Sequence, residues 1–429
     1  MAMDPEELKK RRELRQQQRE EKKKKKRKMM LRLGIAGGVL VACGVLILLV
    51  SRKAPEQTPS VQTEAVEQQL PEEQAKEQTT ETTQPNETVI HIAAAGDLNI
   101  TDRVIAAGGS TYDYTQTFLD VAHILADADL TVVNLEGNLC GEPYGGKTVS
   151  APQQLAQALS RAGVDLVQLA NSYSINQGIS GLASTIDGVR AAGMEPLGVY
   201  ADQSSYKAGK GYTICQVQGI RIAFVAFTKG MDGMTLPPGS EHCVNVLYTD
   251  YESTYQSVDS AGITAVLEAA EKEKPDITIA LLHWGSEFNN TISSSQERIV
   301  SLMQQNGVDA IIGTHSHYVQ QMTLDPETGS FVAYSLGDFF GDAAKAGSEY
   351  SVILDLEITK DHTTGKTVVT NYSYTPIFTV AEKNKPLRVV RLETAMKAFE
   401  DDFLDRVSQQ TYEDMVYALE RIKARVAGE

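Results

Sequence analysis

The chain has 429 residues and a formal net charge of −16 at pH 7, with 42% hydrophobic and 22% charged residues. This length accommodates two or three domains, and the composition excludes a wholly disordered or fibrous chain. Residues 1–53 carry a net charge of +10, whereas the remaining residues carry −26. Because so acidic a globular part repels phosphate groups, the composition argues against nucleic-acid binding.

The N-terminal residues predict a membrane anchor. A basic arm, residues 1–28, precedes a 22-residue apolar run, residues 29–50, in which Arg32 near the start is the only charged residue. An apolar helix of this length can cross a hydrocarbon core of about 30 Å. The basic excess before it places the arm in the cytoplasm and the later residues outside the cell. We therefore expect a single-pass protein of the cell membrane with an extracellular C-terminal domain.

Two other interpretations of the apolar run are less consistent with its sequence. A cleaved signal peptide has a shorter apolar region and a shorter basic arm. Leu40-Val41-Ala42-Cys43 is similar to a bacterial lipoprotein motif, but the residues that follow Cys43 stay apolar, whereas a lipidated mature end normally becomes polar. The basic residues beside the run are explained as a topology signal that also attracts anionic lipid.

Residues 51–87 predict a linker. They are rich in Gln, Glu, Thr and Pro and lack an apolar period. Such a segment cannot bury enough apolar surface to offset the entropy lost on ordering. We expect a disordered, extended extracellular linker that holds the following domain away from the membrane.

Residues 88–385 alternate between apolar runs and amphipathic segments. The runs of strand length are Val89–Ala95, Leu130–Leu135, Leu166–Ala170, Ile220–Phe227, Ile277–Leu282, Ala310–Gly313, Phe331–Leu336, Val352–Ile358 and Thr367–Val380. The segments with apolar residues three or four apart are Gln153–Ala162, Gly181–Ala192, Ile263–Lys272 and Gln296–Asn306. Continuous apolar strands that alternate with amphipathic helices predict an α/β domain whose strands are buried on both faces.

The C-terminal segment, residues 386–429, predicts two further helices, because its apolar residues recur at helical spacing with charged residues between them. Packing of both helices on the surface of their own domain is favoured over a partner-binding hairpin.

The spacing of Cys140, Cys215 and Cys243 selects no disulfide and shows no metal-binding pattern, which favours buried, unpaired thiols.

Polar side chains follow several of the predicted strands at the point where each strand ends. They are Asp97, Glu136, Asn171, His283, His315 and His317. Sites in open α/β sheets form at the carboxyl ends of strands, so these residues are expected to converge. A single Asp or His after a strand is weak evidence, but two imidazoles two residues apart in Gly-Thr-His-Ser-His are stronger. Carboxylates and imidazoles together are ligands typical of Zn, Mn or Fe rather than Ca or Mg.

Six stretches together resemble one known family. They are AAAGDLNITDRV, VVNLEGNL, GLASTIDGVRAAGMEPLGV, ALLHWGSEF, GVDAIIGTHSHYVQQM and AYSLGDFF. In this order they resemble the bacterial capsule-synthesis protein CapA family, named for poly-γ-glutamate capsule production, over about residues 89–385. The resemblance implies a four-layer αββα sandwich similar to the calcineurin-type metallophosphoesterases.

The resemblance also implies roles for the polar residues. Asp97 and His317 would ligate a first divalent metal ion, His283 and His315 would ligate a second, and Glu136 would stand where related enzymes place a bridging carboxylate. One or two ions of Mn, Zn or Fe would polarise a phosphoryl or acyl centre and lower the pKa of a water molecule.

One motif departs from the family pattern. The family reads Ala-Asn-Asn-His-Ala-x-Asp-x-Gly where residues 170–178 read Ala-Asn-Ser-Tyr-Ser-Ile-Asn-Gln-Gly. A metal-ligating Asn is thereby replaced by Ser172, a proton-donating His by Tyr173, and an Asp by Asn176. Serine is a poor metal ligand, and tyrosine, which titrates near 10, is a weaker acid than imidazole. Asp338, which stands where the family has Asn, would restore a carboxylate.

The candidate catalytic residues are therefore Tyr173, Asp338 and Glu287, with Trp284, Gly285 and Glu287 expected at the pocket mouth.

The family implies a role in making, exporting or anchoring an anionic surface polymer, with poly-γ-glutamate as first candidate and capsule synthase membrane subunits as partners. A hydrolase, a polymer-binding module that cleaves nothing, and a scaffold for synthase subunits remain alternatives. An acidic domain that handles a polyanion would need a cation between them, which favours a metal in the first two cases.

Overall fold

The computed structural model describes residues 86–404 and 406–429. The predicted cytoplasmic arm, the predicted membrane helix and residues 51–85 of the predicted linker lie outside the described residues. Within the described part, no helix is both long and apolar enough to span a membrane. The first strand begins at Glu87, one residue before the predicted start of the α/β domain.

The described strands form two sheets. They are β1 (Glu87–Asn99), β2 (Leu130–Glu136), β3 (Leu166–Gln168), β4 (Glu195–Leu197), β5 (Tyr212–Val217), β6 (Ile220–Thr228), β7 (Ile277–His283), β8 (Ala310–Thr314), β9 (Met322–Leu324), β10 (Phe331–Ala333), β11 (Asp338–Phe340), β12 (Tyr350–Asp361), β13 (Thr367–Val380) and β14 (Arg388–Arg391). The first sheet has the order β14-β13-β12-β1-β2-β3-β4, and β11 also pairs with β1. The second has the order β5-β6-β7-β8-β10-β9. Strands β1 to β4 are parallel, as are β6, β7, β8 and β10.

The described α-helices include the four predicted from periodicity in the α/β region. They are α1 (Asp102–Ala107), α2 (Thr115–Phe118), α3 (Ala122–Asp127), α4 (Gln153–Ala162), α5 (Gly178–Ala191), α6 (Gln203–Gly209), α7 (Ser260–Glu271), α8 (Ser294–Gln305), α9 (Leu392–Glu400) and α10 (Gln409–Ala427). Helices α7 and α8 begin before their first periodic apolar residue because the side chains of Asp259 and Ser293 accept hydrogen bonds from backbone N–H groups of the first turn.

The inner faces of the two sheets pack against each other and form an apolar core between them. It contains Ile92 of β1 and Leu354 of β12 from the first sheet, together with Phe224 of β6 and Leu281 of β7 from the second, all of them buried. Each sheet thus buries its inner face against the other sheet and its outer face beneath helices, and burial on both faces explains the continuous apolar runs in the strands.

Helices cover the two outer faces. Val104 of α1 and Leu159 of α4 pack with the outer face of the first sheet, and Ile263 of α7 and Ile299 of α8 pack with that of the second. The order of layers is therefore helices, sheet, sheet, helices. The predicted α/β class is confirmed.

The chain crosses between the sheets after β10. The predicted strand Phe331–Leu336 ends at Ala333, and the chain then bends at Gly337, where φ is 79°, to enter the first sheet as β11. β11 pairs with the end of β1 so that Asp97 and Asp338 lie opposite each other. This crossing brings the carboxyl ends of strands from both sheets to one place.

The two C-terminal helices pack on the domain itself. Met415, Ala418 and Ile422 of α10 are buried in the core between the sheets. The interpretation that favoured self-packing over a partner-binding hairpin agrees with this arrangement. Cys140 and Cys243 carry free thiols; Cys243 is buried as predicted, whereas Cys140 and Cys215 are partly exposed.

Glu382 fixes the start of α10. Its carboxylate accepts hydrogen bonds from the backbone N–H of Ser408 at 2.6 Å, from the hydroxyl of Thr411 at 3.1 Å and from Lys385 Nζ at 2.6 Å. Burial acts to raise the pKa of Glu382, but these donors outweigh it and hold the pKa at about 2. The ionised carboxylate is therefore the form that stabilises the helix start.

Glu382→Gln is expected to lower the free energy of unfolding by about 2 kcal/mol at pH 7, because a charged acceptor of three hydrogen bonds is lost. Since the folded pKa is depressed, the wild-type advantage is complete above the unfolded pKa of about 4.3 and is lost as the pH falls towards about 2. Urea unfolding at pH 7 and pH 3 measures this. Glu420→Gln, on the exposed face of α10, is the matched control and should change little. Equal effects of the two changes at pH 7 would contradict the anchoring role.

Candidate metal centre

Buried carboxylates and imidazoles lie close together at the ends of several strands. The residues are Asp97 at the end of β1, Glu136 at the end of β2, His283 at the end of β7, His315 and His317 after β8, and Asp338 at the start of β11. They fall into two groups, in each of which the possible ligand atoms lie within 4.8 Å of one another. We call Glu136, His283 and His315 the two-histidine group, and Asp97, His317 and Asp338 the two-aspartate group.

The two-histidine group converges on one ring nitrogen. His283 Nε2 lies 3.1 Å from Glu136 Oε1 and 3.0 Å from His315 Nδ1, and Ser172 Oγ also lies 3.0 Å from it. Burial lowers the pKa of both histidines well below the ordinary value, so both rings are neutral and have a lone pair to offer. The Ser172 hydroxyl, at the position of a family ligand, thus lies within the group.

The two-aspartate group has a different charge balance. His317 Nδ1 lies 2.8 Å from Asp338 Oδ1 and 3.9 Å from Asp97 Oδ2. Burial alone would lower the pKa of His317, but the neighbouring carboxylates, that of Asp338 first, raise it to about 10. Burial also raises the pKa of Asp97 and of Asp338. An imidazolium is therefore the counter-charge for these two buried carboxylates.

Asn134 links the two groups. Its Nδ2 donates to Asp97 Oδ1 at 2.6 Å and lies 3.3 Å from His283 Nδ1. The backbone N–H of His315 donates to the other oxygen of Asp97 at 2.8 Å. The sequence prediction missed Asn134, although it lies two residues before Glu136 on β2. Alternate residues of a strand share a face, and this period is the signal that indicates Asn134.

Asn171 braces the site through its amide. Its Nδ2 donates to Asn134 Oδ1 at 3.0 Å and to the carbonyl of Leu135 at 2.7 Å, while its Oδ1 accepts from the backbone N–H of Tyr173 at 3.0 Å. The structure therefore places Asn171 behind the two-histidine group, where it fixes neighbouring residues. Its role as a direct metal ligand stays a prediction.

The Gly-Thr-His-Ser-His turn has an unusual backbone. His315 and His317 have φ values of 88° and 59°, in the left-handed region that costs a non-glycine residue about 1–3 kcal/mol. A Cβ at Gly313 would lie 2.0 Å from the carbonyl oxygen of Tyr334, so only glycine fits there. The hydrogen bond from His315 to Asp97 and that from the Phe288 N–H to the Ser316 carbonyl hold the turn. Strain of this kind is concentrated at functional sites.

A cavity of about 270 Å³ opens onto both groups. Glu136, His317, Asp338, Tyr173 and Phe288 are among its lining residues, and the Phe288 ring stacks on that of His317 at 4.8 Å. Burial, followed by nearby acidic side chains, raises the pKa of Tyr173 to about 12. The phenol is therefore protonated at physiological pH and faces the cavity as a weak proton donor.

The expectation for the pocket mouth needs one correction. Trp284 is fully buried, and its indole N–H donates to the carbonyl of Tyr334 at 2.9 Å. The indole packs in the core under the second sheet because its large apolar surface is removed from water there. Gly285 is partly exposed and Glu287 is exposed, and neither is among the residues that line the cavity. Glu287 belongs to neither group of possible ligands, and its catalytic role stays a prediction.

The donor set fits a divalent metal. Glu136 Oε1 and His315 Nε2 are buried without a hydrogen-bond partner among the described residues, and the contact of Glu136 with His283 lacks hydrogen-bond alignment. Such orphaned buried atoms are costly unless a ligand satisfies them. Three imidazoles with three carboxylates match the preferences of Zn, Mn or Fe. The described residues therefore include two groups suited to bind a metal ion, without identifying the metal.

Comparison with known proteins supplies a family. The model of the family described as "Bacterial capsule synthesis protein PGA_cap" matches residues 91–343. The capsule biosynthesis protein CapA of Bacillus anthracis is 25% identical over 268 residues, which cover 60% of this chain and 61% of that protein. The PGA biosynthesis protein CapA of Bacillus subtilis (strain 168) is 26% identical over 207 residues, 45% of this chain and 47% of that protein. The chain thus spans about half to three fifths of these relatives.

A solved structure is also similar. The calcineurin-like phosphoesterase YfkN from Bacillus subtilis aligns with a TM-score of 0.42 and 15% identity over 78% of this chain and 99% of that chain. A TM-score of this size carries no conclusion about the activity of this chain.

Proposed function

Because the chain belongs to the bacterial capsule synthesis protein family PGA_cap, we propose that it acts in the synthesis, export or anchoring of an anionic surface polymer, with poly-γ-glutamate as the first candidate. The names of the relatives from Bacillus anthracis and Bacillus subtilis support a capsule or polyglutamate role. In this proposal the buried cluster holds one or two divalent transition-metal ions and hydrolyses a bond in the polymer or in a precursor.

One observation carries the catalytic part of the proposal. Six potential ligand residues from five separate segments of the chain lie together beside a cavity. Two of their buried atoms, Glu136 Oε1 and His315 Nε2, have no hydrogen-bond partner among the described residues. A bound ion would be the partner that Glu136 Oε1 and His315 Nε2 lack. A bound divalent metal supplies a Lewis acid and lowers the pKa of a bound water molecule.

The residues of the site would bind the metal, hold the ligands in position and donate a proton. Neutral His283 and His315 with Glu136 would hold one ion, and Asp97, Asp338 and a deprotonated His317 would hold the other. Asn134 keeps the Asp97 carboxylate in place, and the apolar ring of Phe288 limits access of water to His317. Tyr173 retains its proton at neutral pH and can donate it to a leaving group at the cavity.

The second candidate function is polymer binding without cleavage. The observation that favours it is the phenol of Tyr173, whose pKa of about 12 makes it a poor general acid where the family pattern has a histidine. The same metal cluster would then bridge the acidic domain to a carboxylate of the polymer.

Tyr173→Phe distinguishes the two functions. If the phenol donates a proton, turnover of a γ-linked glutamate polymer by metal-loaded protein should fall about 100-fold, while metal content stays unchanged. The measurement is the decrease in polymer length by size-exclusion chromatography, beside elemental analysis. Tyr417→Phe, on an exposed face of α10, is the control. Absence of polymer shortening by the wild type, with the polymer bound, would support the binding function and reject the hydrolase.

The membrane placement is also a proposal. Residues 29–50 would anchor the protein, with the domain outside the cell, where it would contact capsule synthase membrane subunits. Deleting residues 1–53 should abolish polymer production if anchoring is needed. Loss of function in that deletion, together with full function of a His283→Ala/His315→Ala variant, would favour a scaffold over a metal-dependent role.

A further inference from the structure

Lys229 lies beside the candidate metal centre. It directly follows β6, the neighbour of β7, and its backbone N–H donates to the carbonyl of His283 at 2.8 Å. Its position after a buried strand is the same as that of the predicted ligands. The sequence prediction did not include it.

The ammonium of Lys229 is half-buried and incompletely partnered. Its Nζ donates to the carbonyl of Gly285 at 3.0 Å and lies 4.6 Å from the centroid of the Tyr255 ring. Within the described part of the chain it forms no ion pair, and Glu287 and Asp232 act on it only at longer range. An ammonium group has three donors, so this environment leaves hydrogen-bonding capacity unused.

Burial of this cation needs an explanation, because desolvation of an ammonium is unfavourable and here lowers the pKa of Lys229. The backbone contact of Lys229 with His283 and the contact of its ammonium with Gly285, two residues later, place the side chain beside the end of β7 that carries His283. On the side of the two-aspartate group, the cavity is lined by another lysine, Lys345, which is exposed above the Phe288 ring, whereas Lys229 is not among the lining residues. In a domain with a large excess of acidic residues, two lysines beside one site are suited to an anion.

We propose that Lys229 determines ligand specificity by donating a hydrogen bond to an anionic oxygen of the ligand next to the two-histidine group. That oxygen is a carboxylate oxygen if the ligand is the polymer, so the inference rests on the proposed function. The acceptor offsets the desolvation of the ammonium, and the charge-assisted hydrogen bond discriminates against neutral analogues.

Binding of a synthetic γ-linked glutamate oligomer to the metal-loaded full chain tests the inference, with the uncharged γ-linked glutamine oligomer as matched probe. Lys229→Met keeps the aliphatic stem and removes the charge. It should weaken binding of the acidic oligomer about 10- to 100-fold and reduce the salt dependence of binding, with metal content and thermal unfolding unchanged. Lys229→Arg should retain most of the affinity. Lys272→Met, an equal charge change at the exposed residue that directly follows α7, should have no effect.

The other outcomes overturn the inference in distinct ways. Wild-type affinity in Lys229→Met, with metal bound, would show that the ammonium does not contact the ligand and would leave the proposed function intact. Loss of metal or a lower unfolding temperature in Lys229→Met would show that the residue braces the loop at Gly285 instead. A metal-loaded wild type that binds neither oligomer would overturn the inference together with the polymer role, and inorganic phosphate as a third probe would then show whether another anion binds there.

Discussion

Asp97→Asn is expected to remove most of the bound metal and, with it, any hydrolytic activity. The Asp97 carboxylate accepts hydrogen bonds from Asn134 and from the His315 N–H, and it lies 3.9 Å from nitrogens of both His283 and His317. The amide lacks the charge and offers one acceptor instead of two. Loss of a partner that only orients a ligand costs about 10- to 100-fold in metal affinity, so loss of a ligand that links both groups should cost at least that.

Elemental analysis and isothermal titration with Mn or Zn measure this effect. Asp355→Asn is the matched control, because the same chemical change there affects only the partly exposed contact of Asp355, on β12, with His91, on β1. Undiminished metal affinity in Asp97→Asn would mean that the cluster is not organised around this carboxylate.

Gly96→Ala is expected to destabilise the domain by about 3 kcal/mol or more, since added atoms in a packed interior force the backbone apart. A Cβ at Gly96 would lie 1.8 Å from the carbonyl oxygen of Gly337, at the crossing that sets β11 against β1. The main chain, rather than a flexible side chain, would have to move. The displacement would also separate Asp97 from Asp338, so metal affinity should fall as well.

Gly146→Ala is the matched control for that substitution. A Cβ there would be 3.7 Å from its nearest neighbour, an ordinary van der Waals distance, and the change should stay within about 0.5 kcal/mol. Urea unfolding measures both variants. If Gly96→Ala were as stable as Gly146→Ala, Gly96 and Gly337 could not lie as close together as they do in this structure.

The sequence predicted much of the site because the relevant signal is local. Asp97 lies near the end of β1, and Glu136 and His283 end β2 and β7; the carboxyl ends of parallel strands share an edge. The two histidines after β8 follow the same rule. The structure brings these residues together, while their roles as ligands stay predictions.

Other parts of the site depend on contacts that no local pattern contains. Asp338 was noticed only through its departure from the family pattern, because its place opposite Asp97 results from the crossing of the chain between sheets. Trp284 was expected at the pocket mouth, although burial of its indole with a partner for its N–H is more favourable. Lys229 follows a buried strand as the predicted ligands do, but the surroundings of its ammonium come from the loop after β7, which no local pattern contains.

Short strands were the least predictable elements of the fold. β4, β9 and β11, which the sequence did not predict, have three residues each, so a period of two cannot be recognised in them. Their existence depends on pairing with distant neighbours. The long strands β1, β12 and β13 carry enough apolar residues to be identified by composition alone.

The metal content of the purified full chain, by elemental analysis after supply of Mn and Zn, tests the central claim most directly, with His283→Ala/His315→Ala as the comparison. The cluster of buried carboxylates and imidazoles predicts one or two equivalents of a divalent transition metal in the wild type and a clear loss in the variant. Wild-type protein that takes up neither metal would contradict the metal centre and leave a polymer-binding or scaffold protein.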